Sequence, residues 1–220
     1  SSDVCSSDLT GPAGRAIAAR LASVGFEVIL GSRNRYRAME ACDGLLEKWP
    51  DHGLAIRSGD NASAAAAPVV VIATPWDAAA ATARSVADHL DGKVVVCMSN
   101  AIARVAGEFQ PLVPPRGSVA ASVQAEIPDA FVAAAFHHVP ATELGNLSHE
   151  IVSDILICSD HEAATETVSE IVSRFPGSRP LDAGGLSNAM AIEAFTAVLL
   201  QLNSRYQTRV AVGLTGIGDS

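Results

Sequence analysis

The chain alternates between short, continuous runs of apolar residues and longer segments in which apolar residues recur at helical spacing. Buried strands are predicted for residues 26–33, 67–75, 92–100, 129–140 and 153–160, with a weaker candidate at residues 53–60. Helices are predicted for residues 36–49, 77–90, 119–125, 162–175 and 191–206. Because continuous apolar strands that alternate with helices are typical of sheets covered on both faces, the pattern predicts an α/β protein with a doubly wound, mostly parallel sheet.

The pattern changes after Pro140, where a strand and a helix are followed by a turn-rich segment, residues 178–188, and a last helix. No repeat or low-complexity linker separates the two parts of the sequence. We therefore predict two closely packed domains. Residues 1–140 form the larger one, and residues 141–220 form a small C-terminal α/β extension.

Composition narrows the function classes. At 220 residues and 49% hydrophobic content, the chain can build a core without disulfides or a structural metal. The net charge of −9 and the lack of a dense basic run argue against nucleic acid as a partner. No apolar run reaches the roughly 20 residues that cross a bilayer, so no membrane partner is expected. The four cysteines lie far apart without a CxxC motif, so we expect a cytoplasmic protein with no metal site.

A glycine turn stands before an alanine-rich segment with helical spacing near the start of the chain. The order there is Leu9, Thr10, Gly11, Pro12, Ala13 and Gly14. This order has the second and third glycines of the G-x-G-x-x-G dinucleotide fingerprint, with Leu9 in place of the first. Gly11 would let the backbone approach a pyrophosphate, and N–H groups at the helix start would face it. An ordinary turn is the alternative, because residues 1–9 are too polar for the buried strand that normally precedes this fingerprint.

The predicted strand at residues 26–33 ends in Ser32 and Arg33, and Arg35 and Arg37 follow. At this place NAD-binding domains carry an acidic residue that holds the ribose diol. A carboxylate would repel a 2′-phosphate, whereas the hydroxyl of Ser32 and the guanidinium of Arg33 would bind it, with Thr10 as a further donor. The sequence therefore favours NADP over NAD, and a solvated basic loop is the alternative.

Two further segments carry candidate chemistry. The first is the loop that ends the strand at residues 67–75, where Pro75 would make the backbone rigid. The ring of Trp76 would offer an apolar surface beside a nicotinamide, and packing of Trp76 in the core is the alternative. His137 and His138 form a candidate catalytic pair, with a structural role as the alternative. Because neighbouring strand residues point to opposite faces, we expect only one of the two histidines to face a cleft.

Six segments in a fixed order carry a resemblance to a known family over about residues 10–206. They are TGPAG, VILGSR, VVIATPW, VAAAFHHVPA, DILICSD, and RPLDAGGLSN followed by IEAFTAVLLQLN. The chain resembles the NADPH-dependent F420 reductases, also called F420:NADP oxidoreductases. The resemblance implies a Rossmann-type domain with a small C-terminal domain. It also implies a hydride transfer, within one cleft, between carbon C4 of the nicotinamide of NADP(H) and carbon C5 of the deazaflavin coenzyme F420.

The resemblance further implies roles for individual residues. The 2′-phosphate would be bound by Thr10, Ser32, Arg33 and Arg37, and the pyrophosphate by Gly11, Pro12, Ala13 and Gly14. The nicotinamide side of the cleft would include Thr74, Pro75 and Trp76. The remaining cleft residues would be Val139, Pro140 and Leu186, with His137 as the candidate catalytic residue. The resemblance also implies a homodimer that pairs through the last helix, residues 191–206, and packing of this helix in the core is the alternative.

Members of this family usually begin with an apolar strand that runs into the glycine turn, and residues 1–9 depart from it completely. The hypothesis that follows is that residues 1–9 are foreign or misassembled sequence. Two other functions stay open at this point. One is an NADPH-dependent reductase of another acceptor, such as an imine, a flavin or a metal chelate. The other is a non-catalytic NADP-sensing protein.

Overall fold

The structure is a computed structural model that describes residues 3–7, as backbone alone, and residues 10–218. Its strands are β1 (Asp3–Ser7), β2 (Glu27–Gly31), β3 (Ile56–Gly59), β4 (Val69–Ile72), β5 (Val94–Cys97), β6 (Ile102–Val105), β7 (Glu108–Pro111), β8 (Phe131–Ala134), β9 (Ser153–Ser159) and β10 (Ser178–Asp182). Its α-helices are α1 (Pro12–Ser23), α2 (Arg35–Lys48), α3 (Asn61–Ala65), α4 (Trp76–Ser85), α5 (Val119–Glu126), α6 (Ala141–Leu144), α7 (Glu162–Ser173) and α8 (Ala189–Tyr206). Short 3₁₀ turns lie at Pro50–His52, Ala87–His89 and Leu186–Asn188.

One eight-stranded sheet runs through the molecule in the order β10-β9-β8-β5-β4-β1-β2-β3. Its neighbouring strands are parallel except β8 and β9, which are antiparallel. From β1 the chain winds outward to β2 and β3 on one side and to β4, β5 and β8 on the other. Strands β6 and β7 form a separate antiparallel hairpin. This arrangement confirms the predicted doubly wound, mostly parallel α/β fold.

The polar segment before the glycine turn forms the central strand β1. Its backbone pairs in parallel with β2, where Val4 lies opposite Val28, and with β4, where Val4 lies opposite Val69. The glycine turn therefore follows a strand and precedes a helix, which is the context that the dinucleotide fingerprint requires. Residues 1, 2, 8 and 9 lie outside the described residues. The prediction that Leu9 stands at the position of the first fingerprint glycine therefore stays a prediction. The foreign origin of residues 1–9 stays a hypothesis.

Two apolar cores lie on the two faces of the sheet. The first contains side chains of α1, α2 and α7 and is centred on residues such as Ile17, Leu30 and Phe175. The second contains side chains of α4, α5 and α8 and includes Ile72 and Val123. Successive residues of β4, β5 and β8 enter the two cores alternately, because side chains of a strand point to opposite faces. Burial on both faces explains why these strands are continuously apolar.

The predicted strand at residues 129–140 is too long. The strand β8 ends at Ala134, and the chain then turns at Phe136, which has a φ of 65°. That left-handed conformation cannot continue a strand. The segment predicted as turn-rich contains β10, which pairs with β9. The hairpin of β6 and β7 has no counterpart in the predicted elements, since its side chains are largely exposed and its apolar pattern is weak.

Residues after Pro140 extend the same sheet through β9 and β10. Asp154 of β9 forms an ion pair with Arg179 of β10, with an Nε–Oδ1 distance of 2.8 Å. The C-terminal segment packs on this pair, because Leu214 donates its N–H to Asp154 and accepts from Arg179 through its carbonyl. The division into domains at residue 140 stays a prediction.

Among the described residues, no helix has the length and apolar character needed to cross a membrane.

A buried arginine joins α1 to the segment behind Pro140. Arg20 is 3% exposed, and its Nε donates to the carbonyl of Leu144 at 3.0 Å. Its Nη2 donates to the carbonyls of Asn146, at 2.6 Å, and of Glu143 and His149, both at 3.3 Å. The guanidinium thus provides charge-assisted hydrogen bonds to backbone carbonyls at the end of α6 and in the turn after it.

Candidate functional site

The glycine turn leaves the start of α1 open. Gly11 is the N-cap of α1 in an extended conformation, and a Cβ added to it would meet no atom within 4 Å. No side chain of the described residues caps this helix, so the first-turn N–H groups of Ala13 and Gly14 keep no side-chain acceptor. Arg15 holds the turn by donating from Nε to the carbonyl of Thr10 at 2.8 Å. An exposed, uncapped helix start with room above Gly11 fits the binding of a pyrophosphate.

The turn between β2 and α2 is held by its own polar side chains. Ser32 is buried, and its Oγ accepts from the N–H of Asn34 at 3.2 Å. Asn34 in turn caps α2 by accepting from the N–H groups of Tyr36 and Arg37. The side chains of Arg33 and Arg37 are exposed at the carboxyl end of β2. This turn therefore presents guanidinium groups on a fixed backbone, and their convergence with Thr10 on one phosphate stays a prediction.

A cavity of about 190 Å³ lies at the carboxyl ends of β5 and β8. Its walls contain the predicted residues Ala13, His137, Val139 and Pro140. The structure thus brings the glycine turn next to the predicted cleft segment. Ala141, an alanine of the predicted cleft segment, also lines this cavity. The cavity wall further contains residues that the sequence did not single out, namely Met98, Asn100, Phe136, Thr196, Leu199, Leu200 and Asn203.

Buried polar atoms without partners concentrate at this edge of the sheet. Six buried side-chain nitrogen and oxygen atoms lack a hydrogen-bond partner among the described residues. Five of them follow β4, β5 and β8: Thr74 Oγ1, Asn100 Oδ1, both ring nitrogens of His137 and Nδ1 of His138. Each such atom costs about 1–3 kcal/mol, which a ligand with amide-type N–H and C=O groups would recover. The residues present therefore fit a nicotinamide and a deazaflavin, both of which carry these groups.

Both histidines line the cavity, so the prediction that only one faces it is wrong. The prediction assumed a strand, whereas His137 and His138 lie in the turn that follows Phe136. Burial, and secondly the neighbouring His138, lowers the pKa of His137 to about 3. Burial also lowers the pKa of His138, whose Nε2 lies 2.7 Å from the carbonyl oxygen of Asp154. With a pKa of about 3, the His137 ring is neutral near pH 7, where it can donate one hydrogen bond and accept another.

Helix α8 supplies polar groups behind the cavity that sequence reasoning missed. Thr196 donates from Oγ1 to the carbonyl of His137 at 3.1 Å. One turn earlier, the carboxylate of Glu193 caps α5 by accepting from the N–H groups of Val119 and Ala120. Burial raises the pKa of Glu193 to about 7, against these two hydrogen bonds. The sequence signal that could have identified them is a glutamate and a threonine in the first three turns of α8, where the other residues are apolar.

Other predicted site residues lie outside this cavity. Thr74 is buried, Pro75 is exposed, and Trp76 is half-buried and packs against the second core. Leu186 is buried beside α5 in a separate cavity of about 540 Å³, which shares no lining residue with the first. A wider groove of about 600 Å³ lies between α1, α2 and α6, and Pro12 is its one predicted residue. The roles of these five residues at a cofactor stay predictions. Among the described residues, no group of three or more histidine, cysteine or acidic residues could hold a metal ion.

Known proteins are similar to this chain in sequence and in fold. Residues 10–101 match the family described as NADP oxidoreductase, coenzyme F420-dependent. The F420-dependent NADP reductase of Methanothermobacter marburgensis is 34% identical over 213 residues, 92% of each chain. That of Methanocaldococcus jannaschii is 32% identical over 205 residues, 91% of this chain and 92% of the relative. A crystal structure from Arthrobacter sp. FB24, of a protein provisionally described as an F420-dependent NADP reductase, has the same fold with a TM-score of 0.81 at 22% identity, covering 97% of this chain and 100% of the other.

Proposed function

The chain belongs to the F420-dependent NADP oxidoreductases, and from this premise we propose that it transfers a hydride between NADP(H) and coenzyme F420. One observation carries the proposal. The uncapped start of α1 and the five unpartnered polar atoms lie at the same edge of the sheet, and Ala13 of the glycine turn lines the same cavity as His137. Open α/β sheets bind ligands at this edge.

In this proposal the backbone from Gly11 to Gly14 binds the pyrophosphate of NADP(H). Thr10, Ser32, Arg33 and Arg37 bind its 2′-phosphate. The uncapped helix start and the exposed guanidinium groups at the end of β2 support these roles. The lack of an acidic residue at that strand end supports NADP over NAD.

The two cofactors supply the hydride donor and acceptor, and the residues of the chain bring them together and keep water out. We propose that Thr74, Pro75 and Trp76 border the nicotinamide and that Val139 and Pro140 form an apolar wall beside the deazaflavin. His137 is neutral, so we assign it a hydrogen bond to a ring carbonyl or ring N–H and no proton transfer. The hydride would pass between two carbons without an acid or base from the chain, and the proton that completes the reduced deazaflavin would come from solvent.

The test mixes the purified protein with NADPH and oxidised F420. We expect deazaflavin absorbance to fall in step with NADPH oxidation, and the reverse reaction with reduced F420 and NADP⁺ to run as well. Parallel reactions offer an imine, a flavin or a ferric chelate in place of F420. NADPH oxidation with one of these and none with F420 would contradict the proposal in favour of another reductase. Saturable NADPH binding without turnover would indicate an NADP-sensing protein.

We also propose that the protein is a cytoplasmic homodimer that pairs through α8 and binds no nucleic acid. Phe195 and Val198 are 42% and 51% exposed on this helix. Val198 also lines, together with Phe109, an apolar groove of about 350 Å³ between α8 and the β6–β7 hairpin. A second copy of α8 would cover this surface. The net charge of −9 supports the exclusion of nucleic acid.

Charge placed on that surface should separate the dimer. We expect Val198→Glu to sediment as a monomer under conditions where the parent sediments as a dimer, because a carboxylate would be buried without a partner. Ala163→Glu is the control, since Ala163 is exposed on α7, away from α8. A dimer that survives both substitutions would place the interface elsewhere, and a monomeric parent would contradict the proposed dimer.

A further inference from the structure

Asn100 is oriented by a hydrogen bond to the cleft segment. It follows β5, and its Nδ2 donates to the carbonyl of His137 at 2.9 Å. The same carbonyl also accepts from Thr196 Oγ1 at 3.1 Å. A carbonyl oxygen can only accept, so the nitrogen of the Asn100 amide must be the atom that faces His137. This fixes the other end of the amide as the oxygen.

That oxygen is a buried acceptor without a partner among the described residues. Asn100 lines the same cavity as Ala13 of the glycine turn and as His137. A buried side-chain carbonyl of this kind needs a hydrogen-bond donor, and neither ring nitrogen of His137 donates to it. A ligand N–H group in the cavity would satisfy this oxygen.

We infer that Asn100 is a positioning residue whose Oδ1 accepts a hydrogen bond from the carboxamide N–H of the nicotinamide ring. The inference rests on the proposed NADP(H) binding. A dinucleotide whose pyrophosphate lies on the turn at Ala13 places its nicotinamide next to the strand ends in the middle of the sheet, and Asn100 follows one of these, β5. The carboxamide is the only N–H donor of the nicotinamide ring. Holding it fixes the rotation of the ring and the face that it presents to the hydride acceptor.

The test compares two dinucleotides that differ in this donor alone. NADP⁺ carries a carboxamide, and its 3-acetylpyridine analogue carries an acetyl group without an N–H. Dissociation constants are measured by titration for the parent and for Asn100→Ala. We expect the Kd for NADP⁺ to rise about tenfold in Asn100→Ala and the Kd for the analogue to change by less than about twofold. An equal rise for both dinucleotides would overturn the inference, because it would mean that Asn100 only supports the His137 carbonyl.

Thr196→Val is the matched control. It removes the other donor to the His137 carbonyl and leaves the Asn100 oxygen in place, so any loss of affinity should be equal for the two dinucleotides. If Asn100→Ala does not fold, Asn100→Ser replaces it, since its hydroxyl can still donate to His137. A higher Kd for F420 with unchanged binding of both dinucleotides would also overturn the inference, because the oxygen would then serve the deazaflavin. The titrations need no turnover, so a failed hydride transfer counts against the proposed function alone.

Discussion

Arg33→Ala raises the KM for NADPH by roughly tenfold to a hundredfold and leaves the KM for NADH nearly unchanged. A charge-assisted contact to phosphate contributes about 1.5–3 kcal/mol, which corresponds to that range. The Arg33 side chain is exposed at the carboxyl end of β2, on a turn that Ser32 and Asn34 hold in place. Because NADH lacks the 2′-phosphate, it has no contact to lose. Steady-state kinetics with both dinucleotides and saturating F420 give the comparison.

Arg35→Ala is the control for this prediction. Arg35 carries the same charge, begins α2 and is equally exposed, but it is not among the residues predicted to contact the phosphate. We expect its replacement to raise the KM for NADPH by less than about threefold, through the general loss of positive charge near the site. Equal effects of Arg33→Ala on NADPH and NADH would show that Arg33 only supports the turn.

Ala141→Leu lowers kcat for hydride transfer by about a hundredfold while the protein stays folded and still binds NADPH. Ala141 is half-buried, begins α6 directly after Pro140 and lines the cavity that contains Asn100 and His137. A larger side chain there would push the two cofactor rings apart, and a displacement of about 1 Å can cost a hundredfold in rate. The measurements are kcat, the Kd for NADPH and the melting temperature.

Ala133→Leu separates this effect from overpacking. Ala133 lies in β8, is fully buried and belongs to the first core. The added volume has no cavity to enter, so we expect a loss of about 1–3 kcal/mol in the free energy of unfolding and a fall in activity that follows the folded fraction. If Ala141→Leu shows this pattern as well, Ala141 is a core residue and the deazaflavin does not lie beside it.

The sheet could be predicted because its strands are buried on both faces. Residues such as Val70 and Val71 enter different cores, so the strand is continuously apolar and easy to recognise. Strand β1 could not be predicted from its own residues, since its polar sequence has little strand character. Its place is set by pairing with β2 and β4 on both sides, which local propensity does not contain.

The site could be predicted only where its chemistry is local in sequence. The glycine turn and the arginines after β2 have recognisable spacing, and the structure places both at carboxyl ends of strands. Asn100 and Thr196 were missed because their importance arises from a shared partner, the His137 carbonyl, which β5, β8 and α8 bring together only in the fold. The turn at Phe136, which lets both histidines line one cavity, depends equally on tertiary contacts.

The hydrogen bonds of Arg20 tie one wall of the cleft, formed by α1 and the chain behind Pro140, together. Its guanidinium donates to four carbonyl oxygens, two at the end of α6 and two in the turn that follows it. Arg20 itself belongs to α1, whose first turn is assigned to the pyrophosphate. We therefore expect the glycine turn and the chain behind Pro140 to move together, because separating them would remove the acceptors of a buried cation. We expect the opposite wall, formed by α8 and the loop after β5, to open when a cofactor ring enters or leaves the cavity. There, neutral hydrogen bonds from Thr196 and Asn100 hold the two sides together, and these open at far lower cost.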